Sequence, residues 1–192
     1  MRFAIDDDRI VVRTGAREHE VLHGLLHEFT ALAASRREDP MRGEKTPKDP
    51  ALARLLPDPV HGDAEAAAEL RFLTEAALIS HKLANAETVR ASLVDAGGAP
   101  ARLDAAQELA WLKTLTDLRL VLAARLGIER DEDTGRSATE SDRWMQAAYH
   151  WLGATQAELL DVIDARDARR DRAEADEPDP ADEPDPVEEP TR

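Results

Sequence analysis

Residues 104–128 read DAAQELAWLKTLTDLRLVLAARLGI, and this stretch decides the fold class. Leucines recur in it every three or four residues, which is the spacing of one face of an α-helix. That face consists of Leu109, Leu112, Leu115, Leu118, Leu122 and Leu126. Asp104 is a good N-cap and Gly127 a typical helix stop, so we predict one helix between them. Because its apolar face needs cover, we expect the neighbouring segments to be helical as well.

Three further stretches have helical spacing. One helix is predicted from Ala16 to about Ala34, with Thr14 as its cap. A longer one is predicted from Asp63 to about Asp95, and its inward face consists of Leu70, Leu73, Ala77, Leu83, Ala86 and Leu93. The last follows an acidic loop at 129–139, and its inward face consists of Trp144, Ala148, Trp151, Leu159 and Ile163. Prolines and a glycine make 36–50 a predicted loop, followed by a short helical turn at 51–56.

The N-terminus has a different period. Residues 2–13 alternate between apolar and polar side chains on both sides of three consecutive aspartates, Asp6 to Asp8. This pattern is typical of a β-hairpin, with Phe3 and Ile5 on one strand and Ile10 and Val12 on the other. The sequence therefore predicts a mostly α fold: a bundle of about four long helices with a small N-terminal β-hairpin, in a single domain spanning residues 1–170. No further strand is expected.

Composition changes near residue 172. From Ala173 onwards there are nine acidic residues against Arg192, together with five of the eleven prolines and a tandem ADEPDP repeat that begins at Ala175. Repeated proline and like charges leave nothing to offset the entropy of ordering. We predict that residues 171–192 form a disordered acidic tail.

Charge and composition exclude several classes of protein. The net charge of -15 is poorly suited to tracking nucleic-acid phosphates, so we expect DNA to be bound only weakly or through a partner. The absence of cysteine excludes disulfides, thiolate metal sites and thiol nucleophiles. No long apolar run or signal core is present, so we expect a cytoplasmic protein without membrane contact. No cofactor motif is found.

One string resembles a metal site. His19, Glu20 and His23 form a literal HExxH on a predicted helix, the spacing at which zincins bind Zn²⁺ and activate water. No third ligand is marked, and the histidines drift off the leucine face, so we interpret them as a solvated flank and predict neither metal nor catalytic residues. Stoichiometric zinc that is lost in His23→Ala would instead favour a metalloenzyme.

Three charged residues interrupt the apolar stretch 117–128. Asp117 and Arg119 flank Leu118, so at least one of them borders buried surface and needs a partner. That partner is either another helix of this chain, in a structural ion pair, or another protein. We select Asp117, Arg119 and Arg125 as candidate partner-binding residues.

Several strings also carry a resemblance. They are DPALARLLP at residues 49–57, EAAAELRxLT at 65–74, AWLxxLTDLRLVLxxRLGI at 110–128 and WLGxxQ, which ends at Gln156, at 151–156, where x marks a position outside the resemblance. With the hairpin they span most of residues 1–165. In them the chain resembles an actinobacterial family named for the oxidative-stress transcriptional regulator AosR, formerly a domain of unknown function encoded near the Clp protease adaptor.

The resemblance implies a non-enzymatic regulator that works with an alternative sigma factor, or with RNA polymerase, in oxidative-stress transcription. It leaves open a protein-interaction adaptor linked to Clp proteolysis, and a homodimer. Sensing in the family is attributed to a thiol–disulfide switch, which a chain without cysteine does not contain. The resemblance can therefore extend to fold and partner but not to direct thiol sensing.

Overall fold

A computed structural model describes residues 1–39, 46–58, 62–95, 99–130 and 132–175. In chain order its elements are β1 (Arg2–Asp6), β2 (Arg9–Arg13), α1 (Ala16–Glu38), α2 (Pro50–Leu55), α3 (Ala64–Asp95), β3 (Ala101–Leu103), α4 (Ala105–Leu126) and α5 (Glu140–Ala175). Four long helices and one small sheet confirm the prediction of a mostly helical fold with an N-terminal hairpin.

The hairpin has the predicted strands and a tight two-residue turn. Asp7 and Asp8 adopt left-handed φ values of 46° and 63°, as both central residues of a type I′ turn must. The sheet also contains a third strand that the sequence did not predict. β3 pairs antiparallel with β2, so that Leu103 lies opposite Ile10. Three residues are too few to display an alternating pattern, which is why β3 was missed.

Helix α4 lies at the centre of the molecule and contacts α1, α2, α3, α5 and β3. Trp111 on this helix is completely buried, and its Nε1–H donates a hydrogen bond to Ser92 Oγ on α3 at 3.1 Å. The Phe3 ring of β1 meets the Trp111 ring edge to face, with centroids 5.8 Å apart. One indole therefore joins the hairpin, α3 and α4, and satisfies its own polar group while doing so.

The ends of α4 lie where the sequence predicts. Asp104 accepts a hydrogen bond from the backbone N–H of Gln107, whose side chain in turn accepts from the Asp104 N–H. Gly127 ends the helix with a left-handed φ of 69°. A side chain other than glycine would be strained in that conformation.

Other predicted boundaries need correction. Helix α1 begins after Gly15, whose N–H donates to Glu18, and Thr14 is not its cap. It continues to Glu38, four residues beyond the predicted end. Helix α5 continues to Ala175, past the predicted domain boundary at 170. The rest of the predicted tail, residues 176–192, and residues 40–45 of the predicted loop lie outside the described residues.

The predicted inward face of α3 is wrong in its N-terminal half. Leu70 is 40% exposed and Leu73 66% exposed, and Ala77 also faces solvent. The residues that point inward instead are Ala67, Arg71, Glu75 and Ile79. Ala86 and Leu93 are buried as predicted, so the error is confined to the first half of the helix. Leu109 of α4 and Trp144 of α5 are likewise about half exposed rather than inward.

Ion pairs explain this orientation of α3. The Arg36 Nε–H of α1 donates to Glu75 Oε1 at 2.6 Å, and both side chains are buried. Arg71 pairs with Asp58, which precedes the helix. Since a buried charge is tolerated only with a partner of opposite sign, these pairs specify which side of α3 faces the core.

On this half of α3 we therefore expect the substitution of a charged residue to lower the free energy of unfolding more than the substitution of a leucine. Glu75→Ala removes one member of a buried pair and leaves Arg36 without this carboxylate, so we expect a loss of about 3–5 kcal/mol in unfolding free energy. Leu73→Ala, at an exposed position, should change it by less than about 0.5 kcal/mol. Urea denaturation of the two variants measures both values. A larger loss for Leu73→Ala than for Glu75→Ala would contradict the described orientation.

Candidate functional site

Asp117 is the most buried of the three candidate partner-binding residues. It is 4% exposed, and its Oδ1 accepts a hydrogen bond from Lys82 Nζ of α3 at 2.6 Å. Burial raises the pKa of the Asp117 carboxyl above its ordinary value of 3.8, and the hydrogen bond and charge of Lys82 offset this only in part. Asp117 and Lys82 thus form an ion pair between α3 and α4.

A groove of about 520 Å³ opens beside this pair, between α3 and α4. Its lining includes Leu78, His81, Lys82, Asn85, Lys113 and Asp117. Two of the chain's four lysines therefore line one groove, although the chain is acidic overall. Lys82 is already neutralised by Asp117, so the additional positive charge comes from Lys113.

Arg119 points to the opposite side of α4, towards α5. Its Nη1–H donates to Gln156 Oε1 at 2.8 Å, and the Gln156 amide donates to Thr116 Oγ1. The guanidinium lies over the Tyr149 ring, 5.2 Å from the centroid, where the ring quadrupole attracts a cation. Arg119 is therefore a link between α4 and α5.

Arg125 points to a third neighbour, the start of α2. Its Nη2–H donates to Asp49 Oδ2 at 2.8 Å. Asp49 is the N-cap of α2 and accepts hydrogen bonds from the N–H groups of Ala51 and Leu52. Burial acts to raise the pKa of Asp49, but Arg125 and the two backbone donors outweigh it and hold the pKa below its ordinary value.

The structure does not bring the three candidate residues together. Each has a partner within the chain, on α3, α5 or α2 respectively. For Asp117 this is the interhelical ion pair that the sequence suggested. Contact of these residues with another protein stays a prediction, and it would have to use the part of each side chain that its internal partner leaves accessible.

A second groove, of about 600 Å³, lies between α1, α4 and α5. Apolar side chains such as Phe29 and Val121 line it, with Arg125 and the half-exposed Trp144 among the lining residues. Gly24 leaves its α1 wall open, since a Cβ there would meet nothing within 4 Å. Helical periodicity placed Trp144 in the core, so this groove was not predicted.

His19 and His23 stack with ring centroids 6.3 Å apart on α1. Within the described ranges, no group of three histidine, aspartate or glutamate side chains is arranged to hold a metal ion. The HExxH spacing therefore has no third ligand close by in this part of the chain.

Two arginines near the end of α5 pair within the chain. Arg166 is buried and pairs with Glu108 of α4. Arg170 pairs with Asp8 in the hairpin turn, with Nε 2.7 Å from Oδ2. These two cations hold α5 against α4 and the sheet.

The family of the chain follows from a comparison with family models. The model of a domain of unknown function, DUF2017, matches residues 1–163, which include the sheet, α1 to α4 and most of α5. The chain belongs to the DUF2017 family. The three candidate residues and both grooves of this DUF2017 domain lie inside the matched range. Neither curated proteins nor solved structures gave a match.

None of the helices in the described ranges is both long and apolar enough to cross a bilayer.

The raised pKa of Asp117 predicts a pH dependence. Because the folded state binds this proton more tightly than the unfolded state does, the Asp117 contribution is fully present below its unfolded pKa of about 3.8 and is lost as pH rises through the folded value. Asp117→Asn removes the titration. We therefore expect the stability of this variant relative to wild type to increase as pH rises above 3.8.

Urea denaturation at a series of pH values measures this difference. Asp161→Asn, which removes an exposed carboxylate on α5, is the matched control. A stability of Asp117→Asn relative to wild type that is constant with pH, or that decreases as pH rises, would contradict the burial of an ionisable group at this position.

Proposed function

We propose that this DUF2017 protein is a non-enzymatic transcriptional accessory protein that acts in the cytoplasm with an alternative sigma factor during oxidative stress. The resemblance to AosR-like regulators supports this. Its most specific string, at 110–128, corresponds to α4, the helix on which the other elements pack. The similarity therefore concerns the organising element of the fold and not a peripheral motif.

The distribution of charge is the observation that carries the proposal. Six arginines of the described helices and sheet are used within the chain, in the pairs Arg36–Glu75, Arg71–Asp58, Arg102–Asp6, Arg125–Asp49, Arg166–Glu108 and Arg170–Asp8. An excess of carboxylates remains, which gives a net charge of -7 in residues 1–172 and -8 in residues 173–192. Such an acidic chain repels phosphates but complements a basic protein. DNA contacts in the complex are then made by the sigma factor or the polymerase.

The absence of cysteine limits the role further. A thiol switch requires a thiolate on the sensing protein. The proposal therefore assigns this chain the binding of its partner and assigns thiol sensing to another component.

Two binding measurements test the proposal. Tagged protein incubated with RNA polymerase and the alternative sigma factors of its own host should retain a sigma factor or the polymerase. Since opposite charges steer the encounter, association should slow as salt is raised. A promoter fragment without protein partners should show no nanomolar complex at physiological salt.

Two results would overturn the proposal. One is a nanomolar DNA complex of the isolated protein at physiological salt. The other is capture of Clp components with neither sigma factor nor polymerase, which would favour an adaptor in proteolysis.

A further inference from the structure

The sequence LRFLTE at residues 70–75 has its apolar and charged residues on unusual sides of α3. Phe72 and Leu73 are 67% and 66% exposed, and Leu70 is 40% exposed. In the same turns Arg71 and Glu75 are 7% and 3% exposed. A helix at a solvent-exposed surface normally has its apolar residues towards the core and its charged residues towards water, because burial of apolar side chains stabilises the fold and burial of charges does not.

Two of the three apolar side chains are neighbours on the helix. Leu70 and Leu73 are three residues apart and so lie next to each other, whereas Phe72 lies about 100° around the helix from Leu73. The other exposed large apolar side chains in the described residues are less exposed than Phe72 and Leu73; they are Leu78, Leu109, Trp144 and Leu160. A clustered apolar patch of this kind marks a protein interaction site more often than scattered single residues do.

Acidic residues lie between and beside these exposed apolar side chains. Glu69 is three residues before Phe72 and four before Leu73, so it lies between them on the helix surface, and Glu65 lies one turn further back. Both glutamates are exposed. The one cation in this half of the helix, Arg71, is buried and paired with Asp58. We define the α3 patch as Leu70, Phe72 and Leu73 with Glu65 and Glu69.

We propose that the α3 patch binds a basic amphipathic helix of a partner protein. An apolar stripe on that helix would cover Phe72 and Leu73, and its lysines or arginines would pair with Glu65 and Glu69. The charges disfavour three other occupants. A second copy would bring the same glutamates face to face, the acidic residues 176–192 would be repelled, and so would an anionic membrane.

The inference rests on the proposed function for the identity of the partner, since the helix would belong to the sigma factor or the polymerase. It does not depend on that function for its chemistry. The first experiment therefore uses a synthetic probe, a fluorescent peptide about five helical turns long. It has leucine at the a and d positions of each heptad, which form one apolar stripe, and lysine at the remaining positions. A matched peptide with glutamate in place of lysine tests the charge.

The full chain should bind the lysine peptide and not the glutamate peptide, as measured by fluorescence anisotropy. In the double variant Phe72→Ser with Leu73→Ser we expect binding at least about tenfold weaker, because these are the apolar anchors. The double charge reversal Glu65→Lys with Glu69→Lys should also weaken the lysine peptide and admit the glutamate peptide. All the substituted positions are exposed, so the fold is retained, which circular dichroism checks.

Leu160→Ser is the matched control. Leu160 is 43% exposed on α5 and has acidic neighbours, Asp161 and Asp164, so it combines an exposed leucine with negative charge but without an apolar cluster. Its substitution should leave the affinity for the peptide unchanged. Amide chemical-shift changes in the labelled full chain should centre on residues 65–77 of α3.

Three results would overturn the inference. The first is equal peptide affinity in wild type and in the Phe72/Leu73 double variant. The second is a set of shift changes centred on another element. The third is a wild-type dimer that becomes monomeric, or anionic-vesicle binding that is lost, in that double variant, since the patch would then belong to self-association or to a membrane.

The two proposals fail in different ways. If wild type and the Phe72/Leu73 double variant capture sigma factor equally well, the patch inference is wrong and the proposed function stands. If wild type captures neither sigma factor nor polymerase but binds the lysine peptide through α3, the proposed function is wrong and the patch inference stands.

Discussion

A helix that packs against several elements must find a partner for each charge that it buries, and this constraint organises the protein. Helix α4 is such a helix, and its charged residues reach different neighbours. Glu108 pairs with Arg166 of α5, Asp117 with Lys82 of α3, and Arg125 with the N-cap of α2. Apolar packing tolerates a slide or a rotation far better than a buried ion pair does. These pairs therefore specify how the neighbouring elements are placed around α4, while the apolar contacts supply most of the stability.

Local signals account for the parts of the fold that the sequence predicted. Asp104 and Gly127 lie at the ends of α4 because an N-cap and a left-handed stop are determined by neighbouring residues. The same holds for the hairpin, whose alternation flanks an aspartate turn. Strand β3 forms only because β2 offers it an edge, and nothing within its three residues indicates a strand. The rotation of α3 was mispredicted because a periodicity argument counts leucine as inward and arginine as outward, whatever partners the rest of the chain provides.

The candidate residues show the same limit. A charge within an apolar stripe is visible in the sequence, and Asp117, Arg119 and Arg125 were selected on that ground. Their partners are not visible, since Lys82 precedes Asp117 by 35 residues and Asp49 precedes Arg125 by 76. Only the fold reveals that the three point to three different elements. The grooves were equally hidden, because each is formed by side chains from separate helices.

The inverted half of α3 needs an explanation beyond stability. A buried ion pair contributes little relative to apolar residues of similar size, because desolvation offsets its attraction. Rotating α3 so that Leu70 and Leu73 faced the core would bury more apolar surface, although Arg36 of α1 would then lose Glu75. The chain instead keeps Arg71 and Glu75 inside, with partners supplied by Asp58 and Arg36. Burial of the exposed leucines of α3 in a complex would account for this arrangement. The glutamates beside them would then determine which partner surface fits.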